Sequence, residues 1–327
     1  HRLIRLKTII LMILYYCSLF AFKEEIMSNF EVKVPATIAN LGPGFDCLGM
    51  AIDIWNSVTA KVGQQKIIVD GFGKNSLPKD QNNLIYISIC KVFEKLQYKV
   101  PKLTIECHNT IPIQKGLGSS AASIISGLLL GNALCNNQLV DTEILQLANE
   151  IEGHADNAAA CLFGGCQIVV KNNNGLISNS KLNVPEDLEL IIFVPDKTTS
   201  TDDSRKIIPQ TINLQDAVFN IGRAALLVNL LNNNINETMK LATEDKIHQP
   251  YRLKSIPGLD TIIQTSIKSG ALGSFLCGSG PAIMTLTKSN VGEISNNIKQ
   301  AASNLNIPGQ IILSKPTITG AYSPNNN

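Results

Sequence analysis

An α+β fold in two domains is what this sequence predicts, on three observations. Strand and helix periodicities alternate irregularly and include hairpins, unlike the regular strand–helix alternation of a doubly wound parallel sheet. The 327 residues are 44% hydrophobic, which suits two buried cores at roughly 150 residues per domain. An Asn-rich stretch, Asn172–Asn183, is the best linker between the halves. The predicted organisation is an extension over 1–26, a first domain over 27–180 and a second over 181–327.

The elements follow in order. Over Phe30–Val34, apolar Phe30, Val32 and Val34 alternate with Glu31 and Lys33, the period of a half-buried strand. A turn-rich segment, Asn40–Gly49, leads to strands at Asn56–Val62 and Lys66–Val69. Helical spacing over Asn83–Tyr98 puts Leu84, Ile87, Val92 and Leu96 on one side, and Leu103–Cys107 reads as a strand. Ser120–Leu134 is apolar all round, which predicts a central buried helix. Helices at Thr142–Glu152 and Asn157–Phe163 and a strand at Cys166–Val170 complete this half. The second half begins with a buried strand at Leu188–Val194. Helices are expected at Gln215–Leu231, Asn236–Lys246 and Leu259–Lys268, then a hairpin (Leu272–Leu276, Ala282–Leu286), a helix at Glu293–Leu305 and a strand at Gln310–Leu313.

Charge and cysteine usage narrow the function classes. Only 17% of residues are charged and no long single-sign run appears, which argues against bulk disorder. Without residues 1–26 the chain carries 24 basic and 24 acidic side chains, so nothing resembles a nucleic-acid footprint. Any bound anion must be held locally. The eight cysteines form no C-x-x-C pair and no zinc spacing with His, which suits reduced thiols in a cytoplasmic protein. At the N-terminus, a basic start and the apolar run Ile9–Phe22 look like the first two regions of a signal peptide. The run is shorter than the ~20 residues of a spanning helix, and no A-x-A site follows. We read 1–26 as an upstream extension and Met27 as the working start, with no membrane partner.

Five segments could carry chemistry. Gly116-Leu117-Gly118-Ser119-Ser120-Ala121-Ala122 lies between a strand and the buried helix. There glycines admit an anion to free backbone N–H groups with the helix dipole behind them. An ordinary loop with a Ser N-cap is the alternative, and no Walker A lysine follows. Asn40 and Asp46 flank a Gly/Pro turn; they suit an ammonium and a hydroxyl, or they satisfy turn backbone. Glu150, Glu152, His154, Asp156 and Asn157 crowd before an apolar helix, where one cap explains one of them. A metal-binding carboxylate with a base or orienting group is the other reading. Gly278, Ser279 and Gly280 tip the hairpin as a glycine turn. Arg205 and Arg252 stand in polar loops, solvated or clamping a carboxylate together.

Taken together, PATIANLGPGFDCLG, IPIQKGLGSSAAS, EGHADN and GSGPA stand in the order and spacing of the signature motifs of the GHMP small-molecule kinases. That superfamily includes galactokinase, mevalonate kinase and homoserine kinase. The first segment, DSRKIIP and HQPYRLKSIPG resemble the homoserine kinase branch, and the likeness runs from Phe30 to Ala321. The resemblance implies an S5-like N-terminal domain and a ferredoxin-like C-terminal domain. It also implies ATP-dependent phosphorylation of the L-homoserine side-chain hydroxyl, a step of threonine biosynthesis, with Mg²⁺. Position by position, it implies that Pro112, Ile113, Gln114, Lys115 and Gly116–Ala122 wrap the ATP phosphates, with Gly278, Ser279 and Gly280 packed against them. Ser120 and Glu150 match the magnesium ligands, with Glu152 close by. Asn40, Asp46 and His154 match substrate-pocket residues, and Arg205 and Arg252 match those gripping the substrate carboxylate. Asp156 and Asn157 match the residues orienting the reacting hydroxyl.

Two departures stand out. Gln114 replaces a small residue at the mouth of the ATP loop, which predicts a tighter mouth. Thr37 lies near the position where mevalonate kinase and galactokinase carry a basic group. The sequence is compatible with a homodimer. Another GHMP kinase acting on a sugar or isoprenoid alcohol, and a catalytically silent ligand sensor on the same fold, are the competing readings.

Overall fold

One strand organises the first half of the chain. In the computed structural model, which describes residues 29–199 and 201–324, β2 (Gly44–Val62) carries β1 (Phe30–Asn40) antiparallel along one edge, with Phe30 opposite Ala60. The other edge pairs with β4 (Leu103–Asn109) at residues 57–62 and with β5 (Cys166–Lys171) at residues 48–50. Outside them lie β3 (Lys66–Gly71), parallel to β4, and β6 (Ile177–Leu182), antiparallel to β5. The expectations for 1–26 and Met27 lie outside the described residues.

Four helices, α1 (Leu84–Lys95), α2 (Ser119–Leu134), α3 (Asp141–Glu152) and α4 (Asp156–Phe163), complete this domain. The mostly apolar α2 sits at its centre, against β1 on one side and α1 and α3 on the other. Ile124, Ile125, Leu128 and Leu130 are all fully buried there. Gly127 lets α1 come close, because a Cβ at that position would overlap the carbonyl oxygen of Ile85.

The second sheet runs in the order β10-β7-β9-β8 and is antiparallel throughout. Its strands are β7 (Glu189–Pro195), β8 (Gly273–Leu276), β9 (Ile283–Thr287) and β10 (Gly309–Ser314). Strand β7 reads as a continuous apolar run because both of its faces are covered. Ile191 and Phe193 pack in the second domain's own core, while Leu190, Ile192 and Val194 join the larger core shared with the first domain. The remaining helices are α5 (Thr201–Lys206), α6 (Leu214–Asn232), α7 (Met239–Ala242), α8 (Gln249–Arg252), α9 (Leu259–Lys268) and α10 (Val291–Asn304). Of these, α9 and α10 lie against the second sheet.

Three expectations change. The Asn-rich linker is a hairpin: Asn172 accepts from the amides of Asn174 and Leu176 to close a turn, and Ile177–Leu182 then pairs with β5. The helix expected over Asn236–Lys246 shrinks to α7. Asp245 instead closes the turn leading into α8, accepting from the amides of Ile247, His248 and Gln249. The turn-rich segment after Asn40 is short, since β2 already begins at Gly44. The first sheet therefore runs to Leu182, and residues near the C-terminus return to it, Tyr322 bridging to Lys33 and Pro316 to Ile52. Among the described residues, no helix is long and apolar enough to cross a membrane.

Candidate active site

The shape of the glycine loop is set by its backbone. Gly118 is the N-cap of α2 in a left-handed conformation (φ +69°), and no side chain caps the helix. No Ser therefore caps the helix, and the first residues of this 16-residue helix, Ser119 and Ser120, line a cleft without a side-chain cap. Both glycines are obligatory. A Cβ at Gly118 would overlap the Thr37 hydroxyl, and one at Gly116 (φ +78°) would overlap the Cys277 carbonyl. Gln114 also takes a positive φ of 56° and lines the cleft as an exposed residue at its rim.

Around this loop lies a cleft of about 330 Å³. It brings together Asn40, Asp46, Ile113–Ser120, His154, Asp156, Asn157, Arg205, Arg252, Gly278 and Ser279, from both domains. Pro112, Ala121, Ala122 and Gly280 support the walls without lining it; Pro112, Ala121 and Ala122 are buried. Lys115 differs from its expected role. Its ammonium turns to the carbonyl oxygens of Pro195, Asp196 and Lys197, at 2.6, 2.7 and 2.8 Å.

Glu150, matched to magnesium by the motif, stands elsewhere. Its exposed carboxylate faces Lys91 at 3.7 Å and does not line the cleft. A step of two residues turns a helix by about 200°, so Glu152 points the opposite way, into the cleft. The Glu152 Oε2 is buried with no hydrogen-bond partner. Burial raises its carboxyl pKa, against His154 and the nearby Ser120 hydroxyl, which favour the charged form. Of the pair left open by the sequence, Glu152 and not Glu150 shares the site with Ser120.

At the start of α4, Asp156 is almost wholly buried. Its Oδ1 accepts from the Asn157 amide at 2.7 Å and pairs with His154 Nδ1 at 3.1 Å. Burial works against a charged His154, but the Asp156 hydrogen bond and the Asp156 and Glu152 charges outweigh it and raise the imidazole pKa. Thr37 donates its hydroxyl hydrogen to Asn157 Oδ1 at 2.9 Å, which fixes the amide with its NH₂ end free to face a ligand. Sequence reasoning noted Thr37 only for the charge it lacks.

The opposite end of the cleft is charged. Arg205 NH1 and NH2 hold both oxygens of Asp46 at 2.8 and 2.9 Å, a fork-to-fork ion pair. The Arg252 guanidinium is buried, donating from Nε to the Ser204 carbonyl at 3.2 Å and from NH1 to the Gly278 carbonyl at 2.9 Å. Burial pulls its pKa down to about 10, so it stays cationic at neutral pH. Both guanidiniums lie over the Phe45 ring, at 5.6 and 5.3 Å. Asn40 plays a supporting part: its Oδ1 accepts from the Asp46 amide and its Nδ2 donates to the Gly278 carbonyl. One wall is apolar, formed by Leu77, Leu84 and Ile113, of which the sequence flagged only Ile113.

Similarity to known proteins bears on the family and the fold. The family described as GHMP kinases N terminal domain matches residues 83–165, and GHMP kinases C terminal matches residues 226–304. The chain is 40% identical over 275 residues to a homoserine kinase of Clostridium botulinum, covering 84% of this chain and 92% of that protein. It is 38% identical over 278 residues to a homoserine kinase of Caldicellulosiruptor bescii, covering 85% and 90%. A crystal structure of homoserine kinase from Cytophaga hutchinsonii superposes with a TM-score of 0.80 at 32% identity, covering 90% of this chain and 97% of that one.

Proposed function

The chain belongs to the homoserine kinases of the GHMP kinase family, and from that premise we propose how its cleft moves the ATP γ-phosphate onto the L-homoserine side-chain hydroxyl. One observation carries the reading. A single cleft holds an anion seat at the start of α2, a buried carboxylate–imidazole pair beside it, and an Asp–Arg–Arg cluster at the far end.

The amino-acid acceptor is a zwitterion at neutral pH. Its ammonium suits Asp46 and its carboxylate suits Arg252 and Arg205, so binding exchanges the internal Asp46–Arg205 pair for two pairs to the ligand. The hydroxyl then reaches toward Asp156 and Asn157. Asp156 Oδ1 is already engaged by Asn157 and His154, which leaves Oδ2 to accept the hydroxyl hydrogen bond and orient the oxygen lone pair. The nucleotide's phosphates suit the amides of the Gly116–Ser120 loop, and its base suits the wall of Leu77, Leu84 and Ile113. The new bond joins the acceptor oxygen to the γ-phosphorus as the bond from that phosphorus to ADP breaks, and the hydroxyl proton leaves along its hydrogen bond to Asp156 Oδ2 and on to solvent.

Phosphoryl transfer asks little covalent chemistry of the protein, so positioning and charge supply most of the acceleration. Magnesium fits the site through the unpartnered Glu152 Oε2 and the neighbouring Ser120 hydroxyl, which would hold it. Held by these two residues, it would supply positive charge against that of the transferring phosphate. Among the described residues, no cluster of three or more His, Cys, Asp or Glu could hold a metal alone, which suits an ion shared with a nucleotide. Seven free cysteines among the described residues are in keeping with a cytoplasmic enzyme.

The test is ADP release from MgATP with and without L-homoserine, on a chain beginning at Met27. Turnover that depends on homoserine is expected. Turnover with mevalonate or galactose but not homoserine would overturn the acceptor assignment, and ATP binding without turnover on any acceptor would overturn the kinase.

A further inference from the structure

His248 is fully buried, yet every polar atom around it is accounted for in one way only. Its Nδ1 lies 3.2 Å from Arg252 NH1 and its Nε2 lies 2.8 Å from the Gly42 carbonyl oxygen. A guanidinium can only donate, so Nδ1 must be the unprotonated nitrogen; Nε2 therefore carries the hydrogen and donates it to Gly42. The ring stacks on Phe45, with centroids 5.4 Å apart. The same imidazole thus touches the arginine of the charged end of the cleft and both sides of the turn that presents Asp46. Gly42 belongs to the first domain and α8 to the second, so the contact also joins the two.

We propose that His248 is a positioning residue for the acceptor's carboxylate: as a neutral imidazole it locks Arg252 and the 40–46 turn into one geometry. The proposal rests on the reading that Arg252 receives that carboxylate. Protonation would undo the lock, because Nδ1–H would then oppose an N–H of Arg252 across 3.2 Å. The groups facing the ring are Asp245, 3.6 Å from Nε2, and Arg252 from its own stretch of chain, with Arg205 and Asp46 across Phe45. Asp245 is already committed to the amides of Ile247, His248 and Gln249. Burial is the largest influence on the ring and holds its pKa below the ordinary value, outweighing Asp245.

Leu and Gln substitutions separate the lock from mere space filling. Gln can donate to Gly42 and accept from Arg252 but cannot be protonated, whereas Leu does neither. At pH 7.5, His248→Leu is expected to raise the homoserine KM by about 10- to 100-fold, the scale for losing a hydrogen bond to a charged group, with the MgATP KM little changed. His248→Gln should stay near wild type. As the pH falls through the lowered pKa of the ring, the wild-type homoserine KM should climb, and that of His248→Gln should climb less.

Arg252→Ala distinguishes the two levels of the argument. If it raises the homoserine KM while His248→Leu leaves it within about twofold, the proposal falls and the carboxylate reading stands. If Arg252→Ala itself leaves that KM unchanged, both fall. Should His248→Leu fail to fold, identical KM–pH profiles for wild type and His248→Gln would overturn the proposal on their own.

Discussion

Two glutamates two residues apart differ in environment more than in chemistry, and that difference is measurable. Glu150 is solvated beside Lys91, while Glu152 carries an unpartnered buried oxygen beside Ser120. Glu152→Gln should therefore lower kcat/KM for MgATP by about 100-fold or more, on the scale of removing one transition-state charge contact. Glu150→Gln should change it less than about threefold, as for an exposed ion pair. Steady-state kinetics over a magnesium titration checks both, and the reverse ranking would return Glu150 to the metal. The motif placed a carboxylate here, but it could not choose between neighbours two residues apart. The choice depends on helix phase, and α3 ends at Glu152 itself. The same limit explains Asn40, Thr37 and His248. Their residue types were visible, but their partners, Gly278, Asn157 and Gly42, are between 120 and 238 positions away in the chain.

At the scale of elements, the glycine loop owes its shape to the second domain. The Lys115 carbonyl accepts from the Ala282 amide, the Gln114 carbonyl from the Thr199 amide, and the Lys115 ammonium holds the end of β7 through three carbonyls. Lys115→Met keeps the length of the side chain and removes all three charged contacts. It should raise the MgATP KM by about 10-fold or more, with the homoserine KM little changed; direct phosphate contact by Lys115 would instead predict a loss concentrated in kcat. Burial lowers the Lys115 pKa, with Asp196 opposing, so the clamp should weaken first at alkaline pH. Strong periodicity made most elements legible: α2 and α9 needed no tertiary information, because an all-apolar run and a clear amphipathic stripe have one solution each. The segments that misled, Asn172–Asn183 and Asn236–Lys246, are those where Asn and Asp side chains bond local backbone and override apolar spacing.

For the whole molecule, the division into two domains was readable from composition and element order, but the route of the chain's last residues was not. After β10 leaves the second sheet, residues 315–322 return across the first. Lys315 and Thr317 accept from Asp53 and Gly165, Thr317 donates to Ala51, Ala321 to Cys161, and Tyr322 exchanges both bonds with Lys33. Gly320 passes so close to Leu162 that a Cβ would overlap its carbonyl oxygen. No apolar period marks such a segment, since its hold is mainly backbone pairing at a sheet edge. These residues tie β1, the middle of β2 and the end of α4, and hence the platform under Thr37, Asp156 and Asn157, to the domain that carries Arg205 and Arg252. A chain ending at Ser314 loses six backbone hydrogen bonds, worth about 0.5–1.5 kcal/mol each, or several kcal/mol from a stability that is itself only about 5–15 kcal/mol. It should show a lower urea midpoint and should lose activity on mild warming while retaining ordinary KM values at low temperature, where the fold persists. An unchanged midpoint would mean that the tail only decorates the sheet edge; raised KM values for both substrates at low temperature would mean that it also sets the distance between the two halves of the cleft.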